Sequence, residues 1–210
     1  MYMPPYFQED RVPELHAAIR TIAFGTLVSA GADGMIASHV PMLVDPDPAP
    51  YGTLVGHIAR ANPHGQVKSD HDALAMFVGP NAYVTPSWYA TKRETGKVVP
   101  TWNYVAIHAY GRLRFFDDAE RLLGIVTRLT DTHEAPRAVP WAVSDAPADY
   151  VRGMLRAIVG FELPIVRLEG KWKLSQNRNE VDRAGVVEGL AGDGGTAEAA
   201  VAAAMVERAG

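Results

Sequence analysis

The stretch AYVTPSWYATKRETGKVVPTWNYVAIHAY, Ala82 to Tyr110, decides the fold of this chain. Two aromatic segments of β-forming composition flank a polar insert. Ala82–Thr85 is a short apolar strand. Trp88 to Gly96 carries Lys92, Arg93 and Glu94, with Lys97 just beyond, and reads as a mobile excursion between two β segments. Pro100 ends the excursion. From Thr101 to Phe116, Trp102, Tyr104, Ala106, His108 and Tyr110 alternate with Val105, Ile107 and Ala109, the period-two pattern of one long strand.

Working outward toward the N-terminus, Ala73–Val78 is a further apolar strand, and Gly79-Pro80-Asn81 between it and Ala82 predicts a hairpin turn. Thr53–Ile58 is a strand that Ala61-Asn62-Pro63 breaks, with one or two helical turns over Pro63–Ser69. Asp45–Gly52 holds three prolines and is a surface loop. Thr21–Ala30 and Met35–Val44 form a hairpin around Gly31-Ala32-Asp33-Gly34. Pro13 opens a short helix with Leu15, Ala18, Ile19 and Ile22 at helical spacing.

Toward the C-terminus, Asp117-Asp118 caps a helix over Ala119–His133, marked by Leu122, Leu123, Val126 and Leu129. Ala135–Pro147 is irregular, and a helix follows over Ala148–Ile158. Phe161–Leu168 is the last strong strand, which Gly170–Leu174 continues or turns from. Asn179–Leu190 has helical spacing. Gly192–Gly195 is a flexible break, and Thr196–Met205 is Ala-rich, a peripheral or frayed helix with little bulk to bury. Short strands at close spacing with helices between and after them predict a mainly β fold, a barrel with peripheral helices. The predicted domain spans residues 1–190, and residues 191–210 form a tail or peripheral helix.

The chain has 210 residues, 48% hydrophobic and 21% charged, the profile of one globular domain. It contains no cysteine, which excludes disulfides, thiolate catalysis and cysteine-ligated metal, and is compatible with a reducing cytoplasm. Met1–Asp10 lacks the basic start and apolar stretch of a secretory signal. No apolar run approaches the roughly 20 residues that span a bilayer. A soluble, cytoplasmic protein is the expectation. The formal net charge of −4 gives no global attraction to nucleic acid.

Residues 83–89 and 99–104 together concentrate two of the four tryptophans and three of the eight tyrosines. Such an aromatic wall can stack on a flat ring system, with Ser87, Thr101 and Asn103 addressing its polar edge. A large β core is the competing explanation of the same aromatics. Lys92, Arg93 and Lys97 can approach a phosphate or simply solvate a loop. Gly56 to His64, with Arg60, places donors at a strand end beside a helix start, which can make an anion site or an ordinary strand end. Lys171–Arg178 is a second basic run after a strand. The seven histidines form no tight metal-ligand pattern, so no metal is expected, and no nucleophile elbow or obligatory catalytic acid is present.

Six blocks agree in order with one known family: Met3–Phe7, Ser38–Pro41, Gly56–Pro63, Tyr83–Tyr89, Val99–Tyr104 and Lys171–Asn177. Together they make the chain resemble the PaiB-like family of FMN-binding transcriptional regulators. The resemblance implies a split β-barrel of the Greek-key, FMN-binding type, in which two subunits of a homodimer share each of two cofactor sites. An apolar sheet face independently favours a two-fold dimer.

By the same resemblance, the strand bearing Ser38 and His39 and the segment bearing His57, Arg60 and Asn62 hold the flavin ring and phosphate. Trp88, Trp102 and Lys173 close over it from either subunit, with Ser87, Tyr89, Thr101 and Asn103 beside them. A flavin-dependent redox or regulatory role follows. Direct DNA binding is the first alternative, although no helix-turn-helix pattern supports it. Another planar ligand such as haem is the second.

Overall fold

The computed structural model describes residues 1–208. Its strands are β1 (Gln8–Glu9), β2 (Phe24–Gly31), β3 (Gly34–Asp45), β4 (Thr53–Ala59), β5 (Ala73–Val84), β6 (Thr101–Gly111), β7 (Arg114–Phe116) and β8 (Ile158–Lys173). Its helices are α1 (Val12–Ile22), α2 (Ala90–Thr95), α3 (Ala119–Glu134), α4 (Ala148–Leu155), α5 (Glu180–Gly192) and α6 (Thr196–Glu207). The strands hydrogen-bond in the order β1-β8-β4-β3-β2-β5-β6, a further β6–β8 pairing makes that order a ring, and β7 joins β8. The fold is a mainly antiparallel split barrel with helices around it, as the sequence predicts.

The chain clusters into two compact units. One comprises residues 12–77 and 108–168, and here the β2–β3 hairpin sets the register from Phe24↔Pro41 to Gly31↔Gly34. The turn Ala32-Asp33 hands on to Gly34, the first residue of β3, whose φ of +107 is one that glycine adopts readily. β4 pairs with β3 from Met42↔Gly56 and with β8 from Thr53↔Pro164 to Ala59↔Ile158. α1 buries Leu15 and Ile19 and packs on β3. α3 lays Ile125 and Leu129 on Val55 of β4, with Leu43 and Phe116 beside them.

The other unit comprises residues 1–11, 78–107 and Glu169 onward. Its core gathers Ala82, Val84, Tyr89, Leu174, Val186 and Leu190 with Val201, Ala202 and Met205 of α6. The Ala-rich segment therefore forms a helix with a buried face. Alanine's small volume lets α6 approach α5 closely, and burial of Val201 and Met205 contributes about 1.5–3 kcal/mol each.

Several expectations for individual elements change. No hairpin forms at Gly79-Pro80-Asn81, because β5 runs unbroken through it. Gly79 is not among the residues at positive φ, the conformation a tight hairpin turn requires, and the extended backbone suits proline's fixed φ. The basic excursion is partly helical. α2 begins after Tyr89 and stops at Gly96, which is left-handed at φ +68 and donates its N–H to the Lys92 carbonyl. The long strand from Thr101 divides at Gly111, where a Cβ would lie 2.0 Å from the Pro164 carbonyl oxygen. In turn β8 takes in both Phe161–Leu168 and the Lys171-Trp172-Lys173 segment as one strand.

Candidate functional site

Within the unit of residues 12–77 and 108–168, the buried centre is polar. β2 turns Leu27 and Ser29 inward by strand alternation, and β3 does the same with Ser38 and Val40. Asn62, Pro63 and His64 start a 3-10 turn in which the Asn62 side chain accepts from the His64 backbone N–H at 2.9 Å. That cap carries His64 into complete burial. Its Nδ1 lies 3.0 Å from Ser38 Oγ and its Nε2 lies 3.0 Å from Ser29 Oγ. Asn62 Nδ2 donates to Ser38 Oγ at 3.0 Å. The ring edge of Phe115 covers the imidazole, with centroids 6.2 Å apart. Burial lowers the His64 pKa from its ordinary value. A neutral imidazole with a hydroxyl on each nitrogen is satisfied in either tautomer, since a hydroxyl both donates and accepts.

The remaining predicted residues of this unit sit apart from that centre. His39 is exposed, holds Thr26 Oγ1 at 3.0 Å through Nδ1 and stacks on exposed Phe24 with centroids 6.4 Å apart. His57, on β4, is half-buried. Its Nδ1 is buried with no hydrogen-bond partner, and burial lowers its pKa. Arg60 is engaged by protein. It donates in bidentate fashion to Asp117 at 2.8 and 2.6 Å, through Nε to the Arg156 carbonyl at 2.7 Å and through Nη2 to the Ile158 carbonyl at 2.8 Å. The hydrogen-bonded pairing with Asp117 raises the Arg60 pKa and lowers that of Asp117. Arg60 thus fastens the end of β4 to the starts of α3 and β8.

In the other unit the predicted aromatics take three distinct roles. Trp88 packs on α5, whose Gly185 and Gly189 make room for it. A Cβ would come within 2.2 Å of the Trp88 carbonyl oxygen at the first position and 2.3 Å of its ring at the second. Tyr89 is buried in the core with the Arg178 guanidinium 4.7 Å over its ring, and burial raises its pKa. Its hydroxyl has no hydrogen-bond partner. Trp102 alone is open, 53% exposed, and meets the 48% exposed Tyr83 edge-on with centroids 6.3 Å apart.

The polar residues of this unit divide in the same way. Asn103 is fully buried, its amide bonded to Ser175 Oγ at 3.0 Å and to Met205 Sδ at 3.4 Å, so it ties β6 to the core. Lys173 donates to Thr101 Oγ1 at 2.5 Å and to the Trp102 carbonyl. Burial, with the like charges of Lys171 and Arg178, lowers its pKa. Exposed Ser87 accepts from Lys92 Nζ at 3.1 Å. α2 is pinned rather than loose, because Thr91 donates its N–H and hydroxyl to the buried Asp182 carboxylate at 3.0 and 2.8 Å.

The structure therefore brings Ser38 and Asn62 together, and Thr101, Trp102 and Lys173 together. Ser29 and Asp182 are positioning residues that the sequence pattern did not single out, while His64, at the end of the predicted anion stretch, is a buried hub between two serines instead of an open donor. The signal for Ser29 was available, since a serine at an inward position of an alternating strand demands a partner. No group of three or more His, Asp or Glu able to hold a metal ion occurs among the described residues. Among the same residues no helix is long and apolar enough to cross a membrane.

The profile of a family described as "Putative FMN-binding domain" matches residues 1–167. The chain is 35% identical over 191 residues to protease synthase and sporulation protein PAI 2 of Bacillus subtilis, covering 90% of this chain and 89% of that protein. The FAD and haem binding protein of Mycobacterium smegmatis shares its fold with a TM-score of 0.58 at 18% identity, over 79% of this chain and 73% of that one. The flavocytochrome Anf3 of Azotobacter vinelandii does so with a TM-score of 0.58 at 13% identity, over 87% and 78%.

Proposed function

This chain belongs to the FMN-binding-domain family, and from that membership we propose that it binds FMN as a homodimer. The observation that carries the proposal is the family match from residue 1 to residue 167, which takes in β1 to β7 and most of β8. The names of the flavin-binding neighbours are consistent with it. The side chains suit a flavin. Exposed Trp102 and Tyr83 offer an aromatic face for a flat ring. Lys173 with Thr101, and Lys92 with Ser87, offer cation and hydroxyl pairs for a phosphate or a carbonyl edge. When bound, FMN supplies electron transfer that no side chain of this chain can supply. The residues named would bind it, orient its ring and hold its polar edge.

The homodimer rests on exposed apolar side chains that alternate outward from strands. Tyr83 and Trp102 do so in one unit, Phe24 and Met35 in the other. The relative from Bacillus subtilis is named for protease synthesis and sporulation, and a regulatory role is the finer form of the proposal. Its output would run through the flavin rather than through direct DNA contact. The net charge is −4, and α3, the longest described helix, mixes Glu120, Asp131 and Glu134 with Arg121 and Arg128.

The test is a titration of the purified chain with FMN, followed by flavin fluorescence and absorbance, with haem in parallel. Saturable quenching at one FMN per chain supports the reading. No binding at micromolar FMN, or a Soret shift with haem alone, rejects it. Gel filtration that shows only monomer rejects the homodimer, and a salt-sensitive shift of promoter DNA by the flavin-free chain rejects the indirect route.

A further inference from the structure

The buried Ser29–His64–Ser38–Asn62 chain has one end in a small cavity of about 140 Å³, walled by Ser29, Ser69, His71 and Arg112 with Val67 and Ala73. A water molecule occupies about 30 Å³ of the liquid, so the space suits a ligand of several heavy atoms. Arg112 has no carboxylate partner among the described residues. Its guanidinium makes one long hydrogen bond, from Nη1 to the Ser69 carbonyl at 3.4 Å, and among the described residues its remaining donors are uncommitted. Ser69 shapes the rim by accepting from the His71 N–H at 3.1 Å. The nearby acidic residues Asp70 and Asp72 are exposed and are not part of the wall. Ser29 is itself 4% exposed and lies between this cavity and the imidazole.

We propose that this cavity binds a small oxyanion, of phosphate or short-carboxylate size, and that its occupancy fixes the tautomer of His64. The site stands on its own residues and does not depend on flavin binding. Arg112 presents a planar fork of donors suited to two oxygens of one anion. The Ser29 hydroxyl supplies a further donor from the buried side.

The direction of the hydrogen bonds then follows. A deprotonated oxygen of the anion only accepts, so where one faces Ser29 the serine gives it the hydroxyl proton and must itself accept from His64 Nε2–H. Nδ1 is left bare and accepts from the Ser38 hydroxyl, and Ser38 Oγ accepts in turn from Asn62 Nδ2–H. Every group is satisfied in one sense only. With no anion, the two hydroxyls accommodate either tautomer. When His64 carries its proton on Nδ1, Ser38 Oγ accepts twice and its own proton is free to turn elsewhere. The cavity thus controls whether the Ser38 proton is committed to His64.

The experiment uses the full ¹⁵N-labelled chain without flavin. Inorganic phosphate and, separately, acetate are titrated against chloride at matched ionic strength. The ring-nitrogen resonances of His64 are followed by NMR and binding is followed by calorimetry. The expected result is a saturable shift of His64 toward the Nε2–H form with at least one of the two anions, and whichever saturates identifies the anion class. Arg112→Gln, a change at an exposed residue, weakens that midpoint by about tenfold, the loss of one charge-assisted pair. Ser29→Ala keeps much of the calorimetric binding but uncouples it from His64. A His64 spectrum that responds to neither anion overturns the proposal. So does a response whose midpoint is unchanged in Arg112→Gln.

Discussion

Gly185→Ala and Gly124→Ala are the same chemical change in two helix interiors, and the structure predicts opposite signs. In an open helix, alanine is favoured over glycine by about 1 kcal/mol because the unfolded glycine has more freedom to lose. Gly124 of α3 has nothing within 4 Å of a new Cβ, so it should realise that gain in full. At Gly185 of α5 the new Cβ would lie 2.2 Å from the Trp88 carbonyl oxygen, far inside the roughly 3.5 Å optimum for such atoms. The obstacle is backbone, so no rotamer relieves it. The Pro86–Trp88 turn must move off α5, and overpacking of this kind costs about 3 kcal/mol. The net loss is about 2 kcal/mol, and the two variants should differ by about 3 kcal/mol, roughly 150-fold in the folding constant. Gly189→Ala meets the Trp88 ring instead and should fall between them. Urea denaturation followed in parallel by tryptophan fluorescence and far-ultraviolet circular dichroism measures all three. A Gly185→Ala chain more stable than wild type would refute the packing of Trp88 on α5.

Glu9 is buried between Arg11 and Arg208, and the Arg11 bonds above all hold its pKa at about 2, against 4.5 when unperturbed. The folded pKa is the lower one, so its stabilisation is present above pH 4.5 and is lost as the pH falls through about 2. Glu9→Gln should cost up to about 3 kcal/mol at neutral pH and flatten the acid limb of the stability curve, while an unchanged limb would contradict the pairing. His57 and His64 are lowered by burial, so their unfolded forms take up protons first, and urea midpoints should decline as the pH drops below 6.5. Trp102→Ala should weaken FMN binding about threefold to tenfold with the urea midpoint preserved, because this ring is open rather than packed. Asp117→Asn takes the carboxylate from Arg60, which keeps its bonds to the Arg156 and Ile158 carbonyls, so FMN affinity should change less than about twofold in fluorescence titration at two salt concentrations, and a severalfold tightening would contradict a purely structural Arg60.

The barrel was legible because its signal is periodic. Alternation along Thr101–Tyr110 and the Gly31–Gly34 turn are local, and strand pairing follows from them. What escaped the sequence was decided by tertiary contact. Gly79-Pro80-Asn81 has turn composition, yet β5 continues because its neighbours hold it extended. Lys92 and Arg93 look like a solvated loop until Thr91 finds the Asp182 carboxylate 91 positions along the chain. Composition could not announce α6 as core either, since its buried face works through close approach rather than bulk.

The residues of the candidate site divide along the same line, and the division bears on function. Trp88, Tyr89 and Asn103 stand in the aromatic run that first suggests a ring-binding wall, but packing on α5, the core and Ser175 occupies most of their surfaces. Arg60 is the basic residue best placed by sequence for a phosphate, and it spends its donors on Asp117 and two carbonyls. A residue type that suits a ligand equally suits the protein's own polar groups, and only geometry tells the two uses apart. Ser38 and Asn62 are held to each other and to His64 as Asn103 is to Ser175, and it is Trp102, beside Lys173, that survives that separation with exposed surface. Substitutions there should therefore change ligand affinity more than stability, whereas the same substitutions at Trp88 or Asn103 should do the reverse.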